Sequence, residues 1–273
     1  MAFSFSVSSP ARIPRLPSQF THFSLYHLWD SSYTRYVEPF AGSASWFFYI
    51  LPASALLGDI NKELIFTYQQ VKNHLPQVIK ALNKNGGGKD NYYRLRDIDP
   101  ATISPAARAA RFIYLNRFSF NGLYRTNRAG KFNVPYNGGA GNIPSASMLS
   151  HCSKALKKAR LKACSFEIIL EEVKQGDFVY LDPPFSVKSV RVFNEYDASL
   201  FNQKQLGLLR DWMVKLNKKN IPFLVSYADS EEGNKLSKGF YKEVVSVRRN
   251  IAGFAANRKR GNEILISNTK PKG

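Results

Sequence analysis

Four apolar residues, Phe178-Val179-Tyr180-Leu181, run directly into Asp182-Pro183-Pro184-Phe185. An apolar run of that length without alternation reads as a strand buried on both faces, as in a parallel sheet covered by helices. Two successive prolines then forbid helix and hold the chain extended, so the strand ends in a rigid turn. Parallel strands require crossover connections, so the rest of the chain must supply helices between strands. It does. Tyr36 to Phe40 reads as a short buried strand, Gly42 as the turn after it, and Ser43 to Leu51 as a helix that stops at Pro52. Ser54 to Leu57 is a second strand; Asp59 follows it, and Asn61 is placed to cap a helix running to about Leu75. Downstream, a helix from about Asn202 to Asn217 precedes a strand at Phe223 to Ser226, and Ile264 to Ile266 reads as the last strand. The expected class is α/β, an open Rossmann-like sheet with its ligand crevice at the strand carboxyl ends.

Between the first β-α-β unit and the Asp-Pro-Pro strand lies a stretch of different character. Gly86-Gly87-Gly88 and Gly138-Gly139-Ala140-Gly141 punctuate it, and it reads as an inserted, mostly helical module with one hairpin between Leu123 and Val134. Charge sets it apart further. The chain holds 39 Lys and Arg against 20 Asp and Glu, so 39 − 20 = +19. From Pro100 to Phe166 there is no acidic residue, while Arg108, Arg111, Arg117, Arg125, Arg128, Lys131, Lys154, Lys157, Lys158, Arg160 and Lys162 contribute +11. In residues 1–60, Arg12, Arg15 and Arg35 cancel against Asp30, Glu38 and Asp59. A polyanionic partner, nucleic acid first, is the implication.

Other classes are set aside by what is missing. Cys152 and Cys164 make no disulfide framework and have no His or Cys at ligand spacing, and His22, His27, His74 and His151 form no cluster, so no metal is expected. The uncharged run from Pro39 to Gly58 is interrupted by Gly42, several serines and Pro52, so no membrane span is expected. The N-terminal stretch has no secretory apolar core, and a cytoplasmic protein of bacterial or phage type is the expectation.

Two short segments carry chemistry. Glu38-Pro39-Phe40-Ala41-Gly42-Ser43 forms a strand-turn-helix junction, and Asp59 lies 17 positions after Gly42 at the end of the next strand. That pattern suits nucleoside binding, with backbone near the glycine approaching the ligand and Asp59 accepting from ribose hydroxyls. Only one glycine of a dinucleotide fingerprint is present, which argues against NAD and suits a nucleoside without phosphates, such as S-adenosylmethionine. The Asp182 carboxylate and the Pro183 carbonyl make two convergent acceptors beside the ring of Phe185. An exocyclic aromatic amine is a poor nucleophile because its lone pair is delocalised; two acceptors on its NH2 group draw the nitrogen toward a tetrahedral geometry. Asp182 then stabilises the positive charge that develops as a methyl arrives from a sulfonium.

Taken with Pro39-Phe40-Ala41-Gly42, the run from Tyr114-Leu115-Asn116-Arg117 to Asn121-Gly122-Leu123-Tyr124-Arg125 closely resembles the Dam-type, D12 class DNA adenine-N6 methyltransferases. Gly130-Lys131-Phe132-Asn133-Val134-Pro135-Tyr136, Arg248-Arg249-Asn250-Ile251 and Arg258-Lys259 look like that family too, and the resemblance covers roughly residues 35–267. It implies a methyltransferase sheet divided into a methyl-donor part at 1–84, a target-recognition module at 85–165 and a catalytic part at 166–273. Phe40, Gly42, Asp59, Ile60 and Asp182 would surround S-adenosylmethionine. Asp182, Pro183, Pro184 and Phe185 would form the catalytic turn, with Phe185 stacking on a flipped adenine. Asn121, Leu123, Arg125, Lys131 and Pro135 would meet double-stranded DNA in the major groove, Arg125 as guanine reader and Leu123 and Pro135 against thymine methyls. Arg249, Arg258 and Lys259 look like phosphate contacts.

GATC is the expected site, and the expected assembly a monomer or weak dimer on DNA. Two departures stand out. The family's aromatic-X-Gly-Gly-Lys segment is not found before Glu38, where Arg12 or Arg15 are the candidate substitutes, and Gly138-Gly139 stands where a basic residue is common. A catalytically impaired DNA-binding relative and an RNA adenine or guanine amino-methyltransferase stay open as alternatives.

Overall fold

A computed structural model describes residues 28–127, 129–139, 142–184, 201–248 and 260–270. Phe185, Arg249, Arg258 and Lys259, four of the expected site residues, lie outside these. In chain order the elements are β1 (Arg35–Glu38), α1 (Ser45–Ile50), β2 (Ala55–Asp59), α2 (Lys62–Asn73), α3 (Leu75–Asn83), α4 (Lys89–Asp97), α5 (Pro105–Phe118) and α6 (Ala146–Leu156). There follow β3 (Ala159–Ala163), α7 (Phe166–Glu171), β4 (Asp177–Leu181), α8 (Gln203–Lys218), β5 (Phe223–Ala228), α9 (Glu231–Ser237), β6 (Tyr241–Arg248) and β7 (Arg260–Ser267). The seven strands form one sheet in the order β3-β2-β1-β4-β5-β7-β6. β4 runs parallel to both β1 and β5, while β7 is antiparallel to β5 and β6.

The strand order reverses between β1 and β4, and in open α/β sheets the crevice outside the carboxyl ends of such a pair receives ligands. All five residues of β4 are buried, as its unbroken apolar run requires. Its first residue, Asp177, is buried through a two-pronged ion pair: Arg35 Nε and Nη2 donate at 3.1 and 2.6 Å. Asp177 is also the register partner of Arg35, so a charge-assisted bond fixes how β1 and β4 align before their far ends carry any chemistry.

Chain contacts divide the molecule into two compact units. Among the described residues, the first holds 41–51, 57–127, 129–139 and 142–164, the second 28–40, 52–56, 165–184, 201–248 and 260–270. In the first, α5 buries residues around its whole circumference, among them Phe112, Tyr114 and Leu115, which is why its sequence shows little amphipathic stripe. Asn61 caps α2 as expected, its Oδ1 accepting from the Leu64 amide at 3.1 Å. Pro76 opens a separate helix, α3, where the sequence suggested one continuous pattern to Leu75. In the second unit, α8 buries Leu206, Leu209, Met213 and Leu216 at the spacing of one helical face.

Four further elements differ from the sequence reading. The helix after Gly42 starts at Ser45 because Ala44 takes the left-handed region at φ 48°. β3 lies inside the stretch expected to be helical. Only Ala159 of its five residues is fully buried, and its two cations suit an exposed edge strand, so no apolar alternation announces it. β6, the opposite edge, carries Tyr241 and Val244 in water and went unread for the same reason. The expected hairpin is present only as irregular backbone, with isolated antiparallel bridges at Thr126–Phe132 and Ser119–Tyr136.

Candidate functional site

The carboxyl ends of β1, β4 and β5 bring a polar row together in the second unit. Successive side chains of a strand alternate in face, and directly paired residues share one. Tyr36 pairs with Phe178, Tyr180 with Leu224, and Ser226 with Leu265. By that parity Tyr36 and Glu38, Tyr180 and Asp182, Ser226, and Glu263 occupy the same face of the sheet. Glu38 is 2% exposed and Glu263 6%. Burying so many oxygens among apolar strands is costly unless each is paired or neutralised.

Asp182 shows that cost. Burial, and after it the charge of Glu263, pushes its carboxyl up to about 7. The phenols of Tyr36 and Tyr180 are held well above their ordinary value, first by burial and then by carboxylates of this row. Ser226 Oγ lies 3.5 Å from Glu263 Oε2, placing a hydroxyl on β5 between the two outer carboxyls. Next in the chain, Pro183 is buried and Pro184 exposed. Such an arrangement holds an acceptor that binds a proton near neutrality and resists ionising until a positive or hydrogen-bonding group arrives.

Phe40, just past β1 in the same unit, stacks on Phe166 at 5.0 Å and 27° and meets Phe201 edge-on at 5.7 Å. Its side chain is only partly buried, so this aromatic cluster leaves ring surface at the end of the strand.

In the first unit, Gly42 takes φ 47°, a conformation open to glycine at no steric cost. The amides of Gly42 and Asn61 donate to the two carboxylate oxygens of Asp59 at 2.9 and 2.8 Å. Tyr68 donates to the Gly42 carbonyl at 2.8 Å, and Ala41 to that of Gly58 at 2.8 Å. Asp59 thus ties the glycine turn to the end of β2, a role that sequence alone did not assign. Burial raises its carboxyl, and those two amide bonds pull it back. A carboxylate has about four acceptor positions, so two remain for a ligand's hydroxyls. Ile60 beside it is 58% exposed, an apolar face where a strand end would ordinarily be polar.

The recognition segment is pinned from behind and open in front. Tyr124 packs on Phe112 and Phe132 at 5.1 and 5.5 Å, and Phe132 and Val134 are buried. Tyr92 donates to the Val134 carbonyl at 2.9 Å, the Phe120 amide to that of Pro135 at 2.8 Å. Around these, Lys131 and Pro135 are exposed, and Leu123, Tyr124 and Arg125 are all half-exposed. Arg125 Nε donates to Asn133 Oδ1 at 2.9 Å, which orients its guanidinium. Asn121 is exposed in the left-handed region at φ 57°. Five expected DNA contacts therefore fall on one short segment.

Sequence reasoning missed Glu38, Ser226 and Glu263 as members of a site. A signal existed: Glu38 and Glu263 are lone acids abutting apolar strand residues, at odds with the surrounding pattern. Among the described residues no group of three His, Cys, Asp or Glu is placed to hold a metal ion, and no helix is long and apolar enough to cross a membrane.

Comparison with known proteins shows which family the chain is similar to. A family model described as D12 class N6 adenine-specific DNA methyltransferase matches residues 20–251. The chain is 32% identical over 255 residues to the type II methyltransferase M1.LlaDCHI of Lactococcus lactis subsp. cremoris, covering 89% of each. It is 32% identical to the type II methyltransferase M.MjaIII of Methanocaldococcus jannaschii, covering 88% of this chain and 90% of that one. To the DNA adenine methylase of Escherichia coli strain K12 it is 30% identical, covering 84% of each.

Proposed function

Because the chain belongs to the D12 class of N6 adenine-specific DNA methyltransferases, we propose that it methylates adenine N6 in double-stranded DNA with S-adenosylmethionine as donor, after flipping the base out of the duplex. The observation that carries this reading is Asp182, a carboxyl of raised proton affinity directly after β4 at the reversal of strand order. When bound, the donor supplies a methyl group on a sulfonium, so the transfer needs no metal.

The protein's own groups do the rest. Asp182 and the Pro183 carbonyl accept from the two N–H bonds of the amine and localise its lone pair. As the nitrogen gains a bond to carbon it becomes positive, and the Asp182 carboxylate stabilises that charge and can take the surplus proton. A carboxyl that titrates near 7 is matched to that task at neutral pH. Phe185 offers the ring on which an extruded adenine stacks.

On the donor, the Gly42 turn allows close backbone approach, Asp59 has acceptor positions for ribose hydroxyls, Ile60 presents an apolar face to the base, and Phe40 presents exposed ring surface. These groups fit a nucleoside without phosphates better than a dinucleotide, since no second glycine follows at phosphate-cradle spacing.

On DNA, Arg125 has the fork geometry to read guanine, while Leu123 and Pro135 can meet thymine methyls and Lys131 and Asn121 the backbone, a set that suits GATC. Arg249, Arg258 and Lys259 are assigned to phosphates. Mass spectrometry of nucleosides from DNA incubated with the protein and the donor tests the reading. N6-methyladenine is expected, and its absence overturns the proposal.

A further inference from the structure

Asp182 does not sit alone at the end of its strand. β5 is the neighbour of β4, β7 the neighbour of β5, and side chains of the same parity on all three face one way. In the continued register Ser226 stands beside Asp182, and Glu263, diagonal to Ser226 on β7, reaches the Ser226 hydroxyl at 3.5 Å. Glu263 is therefore turned toward β5 and β4 and away from solvent, with 6% of its surface exposed. β7 comes from near the end of the chain and carries none of the methyltransferase motifs. We infer that Glu263 is a positioning residue for Asp182: through its charge, one strand removed and anchored by Ser226, it sets the pH at which the Asp182 carboxylate becomes available to the target amine.

Physical reasons make the coupling strong at this place. Two carboxylates about 10 Å apart across two strand spacings interact weakly in water. Here buried Ser226, 2% exposed, stands between them, so screening is poorer than in water and each charge opposes the other. Among the described residues, the titratable and polar groups facing Asp182 are Tyr36 and Glu38 from β1, Tyr180 from β4, Ser226 from β5 and Glu263 from β7. Glu38 is engaged by the Tyr36 phenol on its own strand, whereas Glu263 reaches toward Asp182 through the Ser226 hydroxyl. Nothing in the row is cationic. A neutral or positive group entering it meets a carboxyl already primed to bind a proton.

This inference rests on the proposed role of Asp182 in methyl transfer, and the experiment separates the two. In the full-length protein, Glu263→Gln keeps the size and an acceptor for Ser226 while removing the charge. The acid limb of kcat/KM for DNA methylation, which reports the free enzyme, is expected to move to lower pH by about one unit. A carbon-13 titration of the Asp182 carboxyl, assigned by its loss in Asp182→Asn, is expected to move by the same amount. In the wild-type protein the Asp182 signal should also show a second inflection where Glu263 titrates. That wild-type measurement decides the matter even if Glu263→Gln does not fold. An Asp182 titration with a single step at the ordinary carboxyl value, or one unmoved by Glu263→Gln, overturns the inference and leaves the methyltransferase reading standing. A titration that moves while the rate profile does not overturns the role of Asp182 instead.

Discussion

Charge is handled in opposite ways by the polar row at the strand ends, proposed to be catalytic, and the segment from Leu123 to Pro135, proposed to read DNA. At the strand ends, Glu38 and Glu263 are taken out of water with Asp182 half-buried beside them, and the cost shows as raised proton affinity at Asp182. Between Leu123 and Pro135, Phe132 is buried instead against Tyr124, while Lys131 stays exposed and Arg125 half-exposed. Each treatment suits its task. A group that must discriminate between an amine and its alkylated, positive form gains from low dielectric, where a unit of charge matters most. A group that must find a polyanion and exchange counterions gains from solvent, where approach is fast and little desolvation is required. Energetic leverage belongs to the first region and geometric addressing to the second.

The largest effect should come from breaking the catalytic side alone. Asp182→Ala is expected to lower methyl transfer by at least about 10²- to 10³-fold while DNA affinity, measured by fluorescence anisotropy, changes little. Comparable losses in both would mean that Asp182 supports the fold rather than the reaction.

Next in size is a stability effect of unusual sign. Asp182 titrates at about 7 in the folded protein against an ordinary 3.8, so the folded state binds the extra proton between those values. Stability contributed by this group therefore falls as pH rises from about 4 to 7 and stays low above that. Asp182→Asn, which cannot ionise, should make the free protein more stable at pH 8 by about 2–4 kcal/mol and by much less at pH 5. Urea denaturation at the two pH values checks it; equal stability of both proteins at pH 8 would show that the carboxylate is not strained in the fold.

On the recognition side, Arg125→Ala should cost about 1–3 kcal/mol at one base position and relax preference there. A loss equal for all sequences would reassign it to the phosphates. Lys131→Ala should do the smallest damage, weakening all sequences alike and reducing the salt slope of binding by about 1. If Lys131 instead altered base preference, the division between reading and gripping along this segment would have to be redrawn.

Much of this could be read along the chain. The buried strand before Asp182, the cap at Asn61 and the acid-free stretch from Pro100 to Phe166 are local patterns, and local patterns are what spacing and propensity report. The hairpin expected between Leu123 and Val134 proved irregular. Edge strands were harder. β3 and β6 carry charges and polar residues because an exposed edge must not recruit another chain, and that same composition hides them from any hydrophobic pattern. Asp59 was visible as a candidate, but its hold on the Gly42 amide was not, because that bond joins residues separated by a whole helix.

By itself, then, the sequence determined the α/β class, the order of motifs, and which segment carries the cations and which the carboxyl proposed to react. Only the tertiary structure decided that Glu38, Asp182, Ser226 and Glu263 share one face of the sheet, and that Phe40 lies against Phe166 and Phe201. The reason is one of range. Helix and strand periodicity are set by neighbours a few residues away, so they survive in the one-dimensional record. Proton affinity depends on which groups and how much water surround a carboxyl, and for Asp182 those surroundings come from strands spread between Arg35 and Ser267.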